Sequence, residues 1–218
     1  MYNLANKKNI VLSIITVVIL VFALISTLFA GFFIVYTRTY VKGLSMAPTL
    51  NTEYSQTGQR DIVYINRFNK GDAGDVVVLD LRKHLNFGNY SIKRLIATEG
   101  DIVNISRDTT NNKYDLLVNN KLIYSKPYYG YDCNTYSYFD SYIQNHIDDT
   151  SRISKNEYGD ALGIIVKKGE IFVLGDNWNE SKDSSLVGPL SKKSIVGRVD
   201  IVVKPDQNEF WTILKRIF

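Results

Sequence analysis

Three short stretches hold the residues whose types could do chemistry together. "GLSMAPTL" (43–50) sets Ser45 between Leu44 and Met46, with Gly43 before it and Pro48 after it. "YSIKRLIA" (90–97) sets Lys93 in a run rich in apolar residues, and "VLGDNWNESKDSSLVGPL" (173–190) ends a strand on Gly175, Asp176 and Asn177 before Ser181, Asp183 and Ser184. A nucleophilic serine needs a base, and the two histidines, His84 and His146, carry no motif around them. The histidine-free arrangement uses a neutral lysine instead. On a strand, period-two alternation puts Lys93 on one face with Ser91, Leu95 and Ala97, and Arg94 on the other with Ile92 and Ile96. Apolar neighbours disfavour the charged amine and pull its pKa toward the working range of a base. Arginine stays charged, so Arg94 is expected to pair with a carboxylate. Each stretch also has a plain reading: a lysine whose tip reaches water, a serine in a turn, a loop of ordinary turn formers. Taken singly, these readings win.

Taken together, "GLSMAPTL", "IKRLIATEGD" (92–101) and "LGDNWNESKDSSLVG" (174–188) resemble, in order and spacing, three signature boxes of type I signal peptidases. An N-terminal apolar segment and "KGDAGDVVVL" (70–79) fit the same pattern, and the likeness runs to about Val203, leaving 106–163 unmatched. The resemblance implies that Ser45 is the nucleophile and Lys93 the general base, with Ser181 and Ser184 hydrogen-bonding to hold the amine. Asp183 would pair with a cation; the family usually has arginine two positions later, where this chain has Ser185, and Arg94 is the expected substitute. Glu99 stands where the family usually has proline. Gly43 replaces the hydroxyl that some members aim at the oxyanion, so backbone N–H groups, including that of Ser45, would serve. Gly43, Leu44, Met46 and Pro48 would surround the scissile bond. No metal or organic cofactor is implied. The substrates would be exported precursor proteins, cleaved after small residues on the outer face of a bacterial cytoplasmic membrane, with the N-terminus of the enzyme in the cytoplasm. A non-enzymatic relative that assists assembly or export of surface proteins is the alternative. A self-cleaving Ser-Lys regulator would need a DNA-binding module where the apolar segment stands.

The elements that must position these residues follow from the pattern of apolar runs. Ile10–Tyr36 has 27 residues without a charge, against the ~20 needed to cross a bilayer. A cleavable signal peptide would have an apolar region of about 7 to 15 residues. A retained transmembrane anchor is therefore expected, which makes the lipid bilayer a partner. Lys7 and Lys8 on one side balance Arg38 and Lys42 on the other, so charge does not orient it. The nine residues ahead of the span are too few to fold. Beyond it, 24 Lys and Arg face 22 Asp and Glu, which offers no basic field for nucleic acid. The single cysteine, Cys133, excludes a disulfide framework and reads as a small buried apolar residue.

Val- and Ile-rich runs at 60–65, 75–81, 90–97, 101–105, 115–123, 169–176 and 195–203 read as strands, with Asn119 and Asn120 at a hairpin turn. Helical periodicity is weak after residue 37. The expected fold is mainly β: an antiparallel-sheet catalytic core (37–105 and 164–204), a smaller lobe rich in Tyr, Asn and Asp inserted at 106–163, and one N-terminal transmembrane helix. The tail 205–218 reads as amphipathic, with Trp211, Leu214 and Phe218 near one face beside Lys215 and Arg216, and suits either a lipid surface or packing on the domain.

Overall fold

A computed structural model describes residues 2–52, 57–82, 90–130 and 132–217. The chain divides into two units, Met1–Thr37 and Arg38–Phe218. The first is helix α1 (Tyr2–Val35), whose stretch Asn9–Val35 is long and apolar enough to cross a membrane. Its large apolar side chains from Ile10 to Ile34 are exposed, apart from the half-buried Phe32. A helix apolar on every side suits a non-aqueous surrounding rather than one wet face and one dry.

The second unit is built on two sheets, because its apolar runs are short, β-branched and punctuated by turn residues. The larger sheet takes β1 (Tyr36–Tyr40), β2 (Ile62–Asn66), β3 (Val76–Asp80), β4 (Tyr90–Thr98), β10 (Glu170–Leu174), β11 (Leu190–Ser191) and β12 (Ile195–Val203). Their order is β1-β2-β12-β3-β4-β10-β11, and the pairs from β2 onward are antiparallel. Alternation along β3 sends Val77 and Leu79 into a core with Leu95, Ile171 and Val173, and Val78 into another with Met46, Leu50 and Val63. Both faces of this strand are covered, so it reads as a continuous apolar run.

The smaller sheet holds β5 (Ile102–Asp108), β6 (Lys113–Val118), β7 (Lys121–Pro127), β8 (Ile153–Lys155) and β9 (Ala161–Ile165), in the order β7-β6-β5-β9-β8. The β6–β7 turn falls on Asn119 and Asn120, both at positive φ (51° and 62°), a conformation that asparagine tolerates well. The second sheet thus begins at Ile102 and ends at Ile165, a few residues outside the 106–163 segment marked by composition. Ile102–Ile105 and Ile164–Ile165 are apolar like the main strands, so the change in composition lags behind the change of sheet. Its tyrosines do fold: Tyr114 is buried in one core with Phe139, Phe172 and Trp178.

Two short helices complete the unit, α2 (Asn134–Asn145) and α3 (Ser184–Val187), followed by the C-terminal α4 (Glu209–Ile217). Helix α2 corrects the expectation of weak helical periodicity. Its buried stripe is one residue per turn, Thr135, Phe139 and Ile143, too narrow to stand out among polar and tyrosine neighbours.

Candidate active site

The loop carrying Ser45 is held from behind by Asn51. Its side-chain amide donates to the carbonyls of Val41 and Gly43, each at 3.0 Å, while its backbone N–H and side-chain oxygen exchange 2.9 Å bonds with Asp61. Asn51 is 1% exposed and sits at φ 57°. Lys204 completes the clamp with a 2.7 Å ion pair to Asp61. Met46 and Leu50 plug the turn into the core beneath it, and Gly43 takes φ 79°, which favours glycine. The partly exposed Ser45 is thereby presented on a pinned turn. Nothing in the sequence distinguishes Asn51 from an ordinary turn asparagine; its role exists only once Asp61 has been folded against it.

Lys93 stands in β4 opposite Val77 of β3 and is 3% exposed. Its Nζ lies 2.8 Å from Ser45 Oγ. Burial pulls its pKa below the ordinary lysine value, and the fields of Asp183 and then Asp176 oppose that pull. Leu95 shares the core of Val77 and Val173, as alternation requires. Ala97 does not follow: it joins Ile96 in the other core. The register with β10 pairs Val173 with Leu95 and Phe172 with Ala97, which leaves Ile96 as a bulged extra residue and ends the alternation.

The third segment closes round the same point. Asp183, 1% exposed, accepts from Ser181 Oγ, from Gly175 N at 2.9 Å, and from Ser185 N and Oγ at 3.0 and 2.7 Å. It also caps α3. Arg94 is not its partner: that guanidinium pairs with Asp176, Nε lying 2.8 Å from Oδ1, and donates to Gly74 O at 2.7 Å. The reason is geometric, because Arg94 points from the face of β4 opposite Lys93. Hydroxyl and amide donors, two of them from Ser185 itself, fill the place of a cation at Asp183. Nor do Ser181 and Ser184 hydrogen-bond the lysine amine; Ser181 holds Asp183, and Ser184 Oγ accepts from Val173 N at 3.0 Å. Among the described residues, the hydrogen bond of the Lys93 amine goes to Ser45.

Gly175, Asp176 and Asn177 form the backing of the serine turn. Asn177 donates its backbone N–H to Ser45 O at 3.0 Å and its side-chain amide to Leu44 O at 3.2 Å. Thr49 donates to Asp176, and Lys126 of β7 reaches Asp176 O at 3.1 Å. A Cβ at Gly175 would meet Ser181 Cβ at 2.6 Å and come closer still to Ser45 O. Glycine is needed here for close approach of two backbones, not for an unusual φ.

A cleft of about 540 Å³ opens beside Ser45, lined by Thr39–Gly43, Met46, Val78 and residues 90–92. Met46 is one of its walls. Pro48 instead lines a separate hollow with Tyr129 and Trp178. His146 stacks on Tyr142 at the C-terminal end of α2, and His84 lies outside the described residues. The Glu99 carboxylate accepts from Gly169 N at 2.9 Å and so ties its turn to the loop before β10.

These features define a class: a mainly antiparallel β protein built around a serine hydroxyl and a buried lysine amine. The family described as "Signal peptidase, peptidase S26" matches residues 8–204. Signal peptidase IB of Staphylococcus aureus (strain COL) is 32% identical over 195 residues, 88% of each chain. Signal peptidase I of Bacillus licheniformis is 28% identical over 202 residues, 92% of each. The crystal structure of a signal peptidase I from Enterococcus faecalis V583 aligns at 25% identity with a TM-score of 0.35, covering 59% of this chain and 96% of that one. The chain belongs to the signal peptidase family, peptidase S26, as a type I serine peptidase that removes signal peptides from exported precursors.

Proposed function

We propose that the protein is a membrane-anchored endopeptidase in which Ser45 and Lys93 form a catalytic dyad, cutting exported precursors after small residues on the outer side of a bacterial cytoplasmic membrane. The observation that carries this reading is the 2.8 Å approach of the buried Lys93 amine to Ser45 Oγ. A neutral Lys93 takes the proton of Ser45 as Oγ attacks the scissile carbonyl, and returns it to the leaving amine. It then activates the water that breaks the acyl-enzyme. The developing oxyanion would be met by backbone N–H groups, that of Ser45 among them, each worth about 3 kcal/mol. Asp183 and its hydroxyl donors act as positioning residues that set the charge environment of Lys93. The cleft between 39–43 and 90–92 suits an extended peptide lying along strand edges, with alternate side chains in pockets.

Anchoring rests on the 27-residue apolar stretch of α1, which would place the serine beside the outer edge of a bilayer, where a precursor leaves its own apolar segment. Neither departure from the usual boxes calls for a non-enzymatic reading: Asp183 has hydrogen-bond donors on both oxygens without the arginine, and the Glu99 carboxylate ties its turn to Gly169. The test is incubation with a precursor carrying Ala at the first and third positions before the cut, beside Ser45→Ala. The wild type is expected to cleave and the variant not; equal cleavage by both, or none by either, removes the dyad reading.

A further inference from the structure

Helix α4 leaves part of its apolar side uncovered. At about 100° per residue, Phe210, Ile213 and Leu214 share one arc, with Trp211 at one margin and Glu209 and Arg216 at the other. The polar contacts of the helix come from that second margin: Glu209 pairs with Arg38 at 2.6 Å and accepts from Tyr64 OH, and Arg216 Nε donates to Asp200 O at 3.3 Å. Phe210 and Trp211 are left 57% and 56% exposed, with Ile213 and Leu214 only partly covered. A helix that merely packed on its domain would bury Phe210 and Trp211 as well.

The place of the helix says what covers it. Arg38, to which its first residue is clamped, stands two residues beyond Tyr36, the last residue of the apolar run; at ~3.5 Å per residue the chain holds it within about 7 Å of the end of the span. Tyr40 lies under the same guanidinium, 4.8 Å from ring centroid to Cζ, and is itself 51% exposed. The last turn of α4 carries Lys215 and Arg216. Aromatic side chains with basic residues at their margin match the boundary between acyl chains and anionic headgroups. We propose that α4 is a second membrane attachment, lying in the interface of an anionic bilayer and holding the catalytic unit against the surface. This rests on the anchored reading above.

Trp211 reports it directly, since the other tryptophan, Trp178, is 5% exposed. The full chain is reconstituted into vesicles of phosphatidylethanolamine and phosphatidylglycerol containing acyl-brominated lipid, and tryptophan fluorescence is measured. A lipid-quenched component is expected, lost in Trp211→Phe and reduced when phosphatidylcholine replaces the anionic lipid. Lys215→Ala should lower the docked-to-undocked ratio about five-fold. Chain that floats with the vesicles but shows no quenching overturns the attachment while leaving the anchor and the dyad intact. Chain that does not float overturns the anchor on which the attachment rests. Equal quenching in wholly zwitterionic vesicles overturns the anionic assignment, and a Trp211 shielded from both lipid and aqueous quenchers identifies a second copy of the chain as the occupant instead.

Discussion

At Lys93, two opposing effects meet on one amine: burial at 3% exposure lowers its pKa, while Asp183 and Asp176 raise it. Burial wins, which is what a base for Ser45 requires. Lys93→Met keeps the length and apolar stem but accepts no proton, so turnover should fall by at least about 10²–10⁴-fold with unfolding unchanged in cooperativity. Near wild-type cleavage by a folded Lys93→Met would sink the dyad. His146→Ala should cleave as the wild type does, since its ring is spent on Tyr142. Ser45 and Lys93 were legible because their neighbours form recognisable boxes. The partner of Asp183 was not, because a carboxylate in a sequence names no donor: the cation expected from Arg94 is replaced by Ser185, two residues away, and by a backbone N–H. Asn51 was invisible for the same reason, its two carbonyl acceptors lying eight and ten residues back.

Among the elements, the serine turn and the Gly175–Asn177 turn depend on each other. Gly175→Ala would push a methyl into Ser45 O and Ser181, and overpacking of this kind costs typically 1–3 kcal/mol. Both the melting temperature and kcat should drop, the second because the nucleophile itself is displaced; a variant with lowered stability but unchanged kcat would mean the turns are not coupled. Asn51→Ala should act from the other side, leaving the buried carbonyl of Val41 and N–H of Asp61 unpaired at about 1–3 kcal/mol per buried group, measurable by denaturant titration. The strands could be read because β-branched runs bounded by turn residues leave little choice. Helix α2 and the bulge at Ile96 could not. One has a stripe a single residue wide, and the other is decided by how β4 meets β10, strands that lie more than seventy residues apart in sequence.

For the whole molecule, the two units divide the work: Arg38–Phe218 carries every residue of the site, and Met1–Thr37 supplies the apolar helix. A chain lacking residues 1–37 should cleave a soluble peptide at close to the full-length rate and lose rate on precursors embedded in vesicles. Equal loss on both substrates would show that the first unit supports the site itself. The buried amine also ties folding to pH. Between the lowered pKa of Lys93 and its ordinary value near ~10.4, the unfolded chain binds more protons than the folded one, so stability rises with pH across that window and the cost is full below it. Comparing wild type with Lys93→Met in denaturant titrations should show this slope only where the lysine is present. The central claim is tested most directly by log kcat/KM against pH for precursor cleavage by wild type and by Asp183→Asn. The wild type should show a rising limb below the ordinary lysine pKa. Removing the carboxylate that most strongly favours the charged amine should move that limb to lower pH. A limb that stays in place, or moves to higher pH, in a folded Asp183→Asn would contradict Lys93 as the base.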